Sequence, residues 1–147
     1  VVPCGRSVRS ARRACRCYWS AAGLVTATLS LMTEAEFESA VVDLAHLYGW
    51  RAVGHRTMRT KHGFATGWKY DGTGWPDLTL THERGFVIMA ELKVPPNKLS
   101  TEQVVWADHL TALADASSGI HYAEWRPADG DEIAMYLTFG KVTKWTL

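Results

Sequence analysis

The sequence predicts an α/β domain, a mixed central sheet flanked by helices in the order α-β-β-β-α-β-α. Three observations carry that prediction. Two amphipathic segments, "TEAEFESAVVDLAHLYGW" and "STEQVVWADHLTALADA", each begin with a hydroxyl residue followed three positions later by Glu or Gln, the pattern of a capping box. Between them lie two short β-rich runs, "DLTLT" and "GFVIMAELK", joined by "HERG", which reads as a hairpin. A third run, "IHYAEWR", follows the second helix, and helices alternating with strands imply a layered sheet.

In the first helix Thr33 is the N-cap and Glu36 its capping partner. Positions 34, 37, 38, 41, 44, 45 and 48 share one face and hold Glu, Phe, Glu, Val, Leu, Ala and Tyr. Gly49 ends the helix, and "RAVGHR" reads as a short strand. Thr57 to Gly74 reads as a long loop with four glycines, a length that is usually functional or disordered. "PPNK" interrupts the chain before Ser100, which caps the second helix with Gln103 in the capping-box position. "DGDEIAMYLTFG" reads as a last short helix. Trp106, Trp125 and Tyr48 are expected to fill the core.

The 147 residues suffice for one domain with a single core. No apolar run approaches the length of a membrane span. The net charge of +1 conceals an asymmetry: residues 1–31 hold five of the 16 basic residues and no acid, leaving 11 basic and all 15 acidic residues in 32–147. All three cysteines fall in that first segment without CxxC spacing, which argues against a disulfide framework and a zinc site. Residues 1–31 are read as an N-terminal extension, disordered or outside a native chain that starts at Met32. Within the acidic remainder, Arg51 to Lys69 forms a basic island of five cations and two histidines without a carboxylate.

The chemistry concentrates in "GWPDLTLTHERGFVIMAELK". Alternate strand residues share a face, so Glu91 and Lys93 point one way and Leu92 the other. Asp77 opens the neighbouring strand, where its carboxylate can lie beside Glu91. Two adjacent carboxylates repel strongly at low dielectric unless a cation lies between them. Hard oxygen donors without Cys or His suit Mg²⁺ or Mn²⁺.

This arrangement, Pro76-Asp77 followed by Glu91-Leu92-Lys93, resembles the PD-(D/E)xK nuclease superfamily. The ordered set "GWPDL", "AELK" and "LSTEQ", with a glutamate on the leading helix, resembles the VRR-NUC family of phage, bacterial and DNA-repair nucleases over roughly residues 33–133. The resemblance implies a restriction-endonuclease-like core and a metal-dependent DNA endonuclease leaving 5′-phosphate and 3′-hydroxyl ends. Its cofactor would be Mg²⁺, with Mn²⁺ able to substitute. It also implies a metal site of Asp77, Glu91 and the Leu92 carbonyl, catalytic roles for Lys93 and Gln103, and a catalytic first-helix glutamate as an additional metal-site carboxylate. Glu34 is preferred for the last role over Glu38, where the family usually has glutamine, and over Glu36, the capping partner. Gln103 reads equally as a capping residue. Arg56, Arg59, Lys61 and Lys69 are the expected DNA-backbone contacts. The expected partner is duplex or branched DNA, the protein acting as a junction-resolvase-like homodimer in the cytoplasm of a bacterium or phage-infected cell. The alternatives are a non-catalytic nucleic-acid-binding module on the same fold and a hydrolase of small phosphoesters.

Overall fold

The computed structural model describes residues 32–55 and 57–140, with side chains omitted at 57–60 and 64–66. The expectation for residues 1–31 lies outside the described residues. Helix α1 (Glu34–Leu47) is followed by strands β1 (Arg51–Gly54), β2 (Thr57–Thr60), β3 (Gly63–Thr66), β4 (Leu78–His82) and β5 (Phe86–Leu92). Helix α2 (Thr101–Ala116), strand β6 (Ile120–Trp125), a 3₁₀ turn (Pro127–Asp129) and helix α3 (Gly130–Phe139) complete the elements of the described residues. The main sheet is ordered β1-β4-β5-β6. Its first two pairings are antiparallel and β5–β6 is parallel. Among the described residues, the α/β class with a mixed four-stranded sheet and three helices is therefore as expected.

Both capping boxes form. Thr33 Oγ1 accepts from the Glu36 N–H at 3.2 Å, and Glu36 Oε2 accepts from the Thr33 N–H at 2.8 Å. At α2, Ser100 Oγ accepts from the Gln103 N–H at 3.3 Å, and Gln103 Oε1 accepts from the Ser100 N–H at 2.8 Å. Each box satisfies two backbone donors that a helix start otherwise leaves unpaired.

Strand alternation divides the sheet into two unlike faces. Leu78, Leu80, Ile88, Ala90, Leu92 and Trp125 face the buried side of α1 (Phe37, Val41, Leu44, Ala45) and Ile133 and Leu137 of α3. This is the hydrophobic core, and the Trp50 indole N–H is anchored in it by the Leu137 carbonyl at 2.8 Å. The parallel β5–β6 pairing requires a crossover connection, which α2 provides. It covers the opposite face, that of Met89, Glu91 and Lys93, and packs lightly, with Leu110 its one buried residue.

Two expectations need correction. Thr57 to Gly74 is not all loop, because β2 and β3 form a hairpin that pairs Thr60 with Gly63 around Lys61-His62. The turn carries no Asn-Gly or Asp-Gly dipeptide, the usual signal for a two-residue hairpin loop. Gly63 at φ +118° supplies the backbone freedom instead. Trp106 and Tyr48 are only half-buried. Tyr48 packs at the core's edge, whereas the Trp106 indole N–H leaves the core to donate to the Asp71 and Thr73 carbonyls at 3.0 and 3.1 Å. Trp125 fills the core as expected. Among the described residues no helix is long and apolar enough to cross a membrane.

Candidate active site

On the α2 side of the sheet, the C-terminal end of β5 and the residue after it bring together the charges that the sequence singles out. Glu91 is 1% exposed and Lys93 is 7% exposed. Lys93 Nζ lies 2.6 Å from Glu91 Oε1. The same oxygen accepts from Gln103 Nε2 at 2.6 Å. Gln103 thus serves both readings, because its carbonyl closes the α2 capping box while its amide N–H₂ fixes Glu91. One side chain holds the helix start and the carboxylate together, which places α2 against the sheet at this point.

Asp77 comes from the residue before β4. Pairing of Leu78 with Ala90 carries the antiparallel register one step on and sets Asp77 opposite Glu91. Asp77 Oδ2 accepts from the Leu92 N–H at 2.8 Å, which fixes the carboxylate's rotation. Its carboxyl group lies near enough to Glu91 to act on its titration. Burial is the main reason that the Glu91 pKa rises to about 7, and the proximity of Asp77 adds to the rise while Lys93 opposes it. Burial by itself would lower the Lys93 pKa, but the hydrogen bond to Glu91 and the charges of Glu91, Asp77 and Glu34 together raise it. Lys93 is therefore a fixed cation, and Glu91 is close to half-ionised at neutral pH in the metal-free protein.

The first-helix glutamates divide as follows. Glu36 is a capping residue, its pKa lowered by the hydrogen bonds from Thr33. Glu34 is exposed, accepts from Asn97 Nδ2 at 2.9 Å, and is near enough to Lys93 to act on its titration. Glu38, one turn further in, is half-buried, and its pKa is raised by burial and by the Asp77 charge. Both therefore border the site: Glu34 on the lysine side, Glu38 on the aspartate side.

Several neighbours were not read from the sequence. His55, just beyond β1, has Nε2 3.8 Å from Asp77 Oδ1 and packs against Trp68 with ring centroids 4.7 Å apart. On β6, Glu124 pairs in register with Glu91 and forms an ion pair with Arg126, whose guanidinium also donates to the Asn97 carbonyl at 3.3 Å. Tyr122 lies on the same face, its pKa raised to about 12 by burial and then by the charges of Glu91, Glu124, Asp77 and Asp108. No local motif marks these residues. Their proximity depends on strand pairing between segments far apart in sequence.

Lys61 and Lys69 of the basic island are exposed. Arg56 lies outside the described residues, and the Arg59 side chain is not described. Among the described residues no three His, Cys, Asp or Glu side chains cluster closely enough to cage a metal ion, so the candidate metal centre rests on the Asp77–Glu91 pair. That donor set fits a hard divalent cation that is held through one or two carboxylates and keeps much of its water. Comparison with protein-family models, with curated proteins and with solved structures found no match.

Proposed function

We propose that the chain is a Mg²⁺-dependent endodeoxyribonuclease on a restriction-endonuclease-like core, hydrolysing phosphodiester bonds to leave 5′-phosphate and 3′-hydroxyl ends. The observation that carries this reading is the pairing of the half-buried Asp77 carboxylate with the buried Glu91, with Lys93 Nζ 2.6 Å from Glu91. An ion pair kept only for stability gains little from a second carboxylate at its shoulder, since desolvation already offsets much of its attraction. A site that takes up a cation needs that surplus of negative charge. The resemblance of "GWPDL", "AELK" and "LSTEQ" to the VRR-NUC family supports the same reading.

Asp77 and Glu91, with the Leu92 carbonyl, would hold Mg²⁺ or, as a substitute, Mn²⁺. Bound there, the ion supplies Lewis acidity toward water and phosphate oxygens. The chain's own groups perform the remaining tasks. Leu92 N–H and Gln103 Nε2 fix the two carboxylates, so that little reorganisation is needed when substrate arrives. Lys93 stabilises the extra negative charge of the pentavalent phosphate and orients the attacking water. Glu34, held by Asn97, lies on the lysine side of the site and adds a carboxylate able to accept a proton from that water. Lys61 and Lys69, with Arg56 and Arg59, attract the DNA backbone over a body that is otherwise acidic. The substrate in this reading is duplex or branched DNA, cut by a homodimer in the cytoplasm of a bacterium or phage-infected cell.

The test is cleavage of supercoiled plasmid with Mg²⁺, with p-nitrophenyl phosphate assayed separately. Wild type is expected to cut plasmid only, and Asp77→Asn neither substrate, with its melting temperature held or raised because a repulsion is removed. Undiminished plasmid cutting by Asp77→Asn would refute the site. DNA binding without cleavage in any divalent metal would leave the non-catalytic module as the function, and turnover of the small ester would point to the phosphoester hydrolase.

A further inference from the structure

The segment leading into Asp77 and the first turns of α2 enclose an open groove of about 520 Å³ lined by Tyr70, Asp71, Glu102, Val105, Trp106 and His109. Three features set it apart from ordinary surface. Tyr70 is 96% exposed and has φ +56°, a left-handed conformation that is uncommon for a bulky residue and marks local strain. The backbone thus holds a large ring out into water, at the lip of the groove, where it gains nothing from burial. The floor is built firmly: Trp106 donates to the Asp71 and Thr73 carbonyls and meets Trp75 edge-on with centroids 4.8 Å apart. Asp71 and Glu102 are exposed carboxylates on the groove lining, and hydrogen bonds from its own backbone N–H and then from the Ser100 hydroxyl lower the Glu102 pKa.

Both walls run directly into the candidate active site. Glu102 precedes Gln103, which holds Glu91. Thr73 and Gly74 lead through Pro76 to Asp77. Gly74 lies so close to α2 that a Cβ there would come within 2.5 Å of the Glu102 carbonyl carbon. A strand whose phosphate is presented to Asp77 and Glu91 therefore has a neighbouring nucleotide beside this groove. An aromatic lip and apolar wall suit the face of a base. Carboxylates on the rim accept hydrogen bonds from an exocyclic amino group, and they disfavour a phosphate in the same space. The groove's chemistry is that of a base site, complementary to the basic hairpin that suits the backbone.

We propose that this groove receives an unstacked, amino-bearing nucleobase adjacent to the phosphate presented to Asp77 and Glu91, and that it directs the protein to single-stranded or branched DNA. The inference rests on the nuclease reading and narrows its substrate class. A base held in a duplex stack cannot enter the groove, so recognition requires a strand already unpaired or one that opens at some energetic cost.

The experiment measures equilibrium binding in EDTA, where cleavage is suppressed, with short labelled homopolymers of deoxycytidine and thymidine and a duplex of equal length. Wild type is expected to prefer the deoxycytidine strand over both others. Tyr70→Ala should weaken binding to that strand by about ten-fold, leaving duplex binding and the melting temperature unchanged, and Tyr70→Phe should restore it. Asp71→Ala combined with Glu102→Ala, which removes both rim acceptors, should abolish the preference for deoxycytidine over thymidine. Equal binding of single strand by wild type and Tyr70→Ala would overturn the proposal, and so would a deoxycytidine preference that survives the double substitution. Plasmid cleavage with Mg²⁺, run in parallel, separates the two readings. Active enzyme with Tyr70→Ala indifferent removes the base site alone, while a ring-dependent preference in a protein that cuts nothing removes the nuclease reading alone.

Discussion

Replacing Glu91 by glutamine should stabilise the metal-free protein at alkaline pH and leave it nearly unchanged in acid. Neutral Glu91 has a carbonyl oxygen that accepts from Lys93 and Gln103 and a hydroxyl that can donate to Asp77. A glutamine reproduces that arrangement, its Oε1 accepting and its Nε2 donating. The wild-type carboxyl has its pKa raised from 4.5 to about 7, chiefly by burial. A carboxyl with a raised folded-state pKa contributes stability below its unfolded value, and that contribution is lost as pH rises through the folded value. At about 1.4 kcal/mol per pH unit, the rise amounts to on the order of 3 kcal/mol lost by wild type between pH ~4.5 and pH ~7.5. Urea unfolding in EDTA at pH 5 and pH 8 measures it. The variant should match wild type at pH 5 and exceed it at pH 8 by up to ~3 kcal/mol, other titrating groups cancelling in the difference. Adding Mg²⁺ at pH 8 should stabilise wild type but not the variant. Equal stability of the two proteins at both pH values would refute the claim that burial holds the Glu91 pKa above its ordinary value.

Thr33→Ala should cost about 1 kcal/mol in urea unfolding through loss of the α1 cap while plasmid cleavage persists; loss of cleavage would tie the cap itself to the site. Glu34→Ala should show the opposite pattern, with cleavage lost and stability kept, and an inactive Glu38→Ala beside an active Glu34→Ala would move the helix carboxylate one turn inward. Lys61→Ala with Lys69→Ala should flatten the salt dependence of DNA affinity by up to ~2 units without altering calorimetric Mg²⁺ binding, and an unchanged slope would place the DNA elsewhere. Gly74→Ala should destabilise by more than about 1 kcal/mol in urea unfolding, because Gly74 combines φ +85° with a backbone contact too close for a Cβ. Cleavage should fall with it as α2 is pushed away from Glu91, and normal stability would show that this contact is not required.

Local chemistry was enough to read the two capping boxes, the β4–β5 hairpin and the Glu91–Lys93 face, because capping, turn formation and strand alternation involve residues close in the chain. The same short-range logic placed Asp77 beside Glu91, since a tight hairpin fixes its own register. The β2–β3 hairpin was missed because Lys61-His62 lacks the usual turn residues and only Gly63, at φ +118°, reveals the bend. Gln103 could be read two ways from sequence, and tertiary structure gave it both roles by docking α2 against β5.

What remained beyond the sequence was everything that depends on which distant segments meet. The pairing of β1 with β4 brings His55 to Asp77, and the parallel pairing of β5 with β6 sets Glu124 beside Glu91. Packing of the Gly67–Gly74 segment on α2 turns Trp106 from an expected core residue into the floor of a groove. A strand's pattern states which face is apolar, but not which strand lies next to it or which charges it will share. That choice is made by long-range pairing and side-chain packing, which here determine both the raised pKa of Glu91 and the groove beside it.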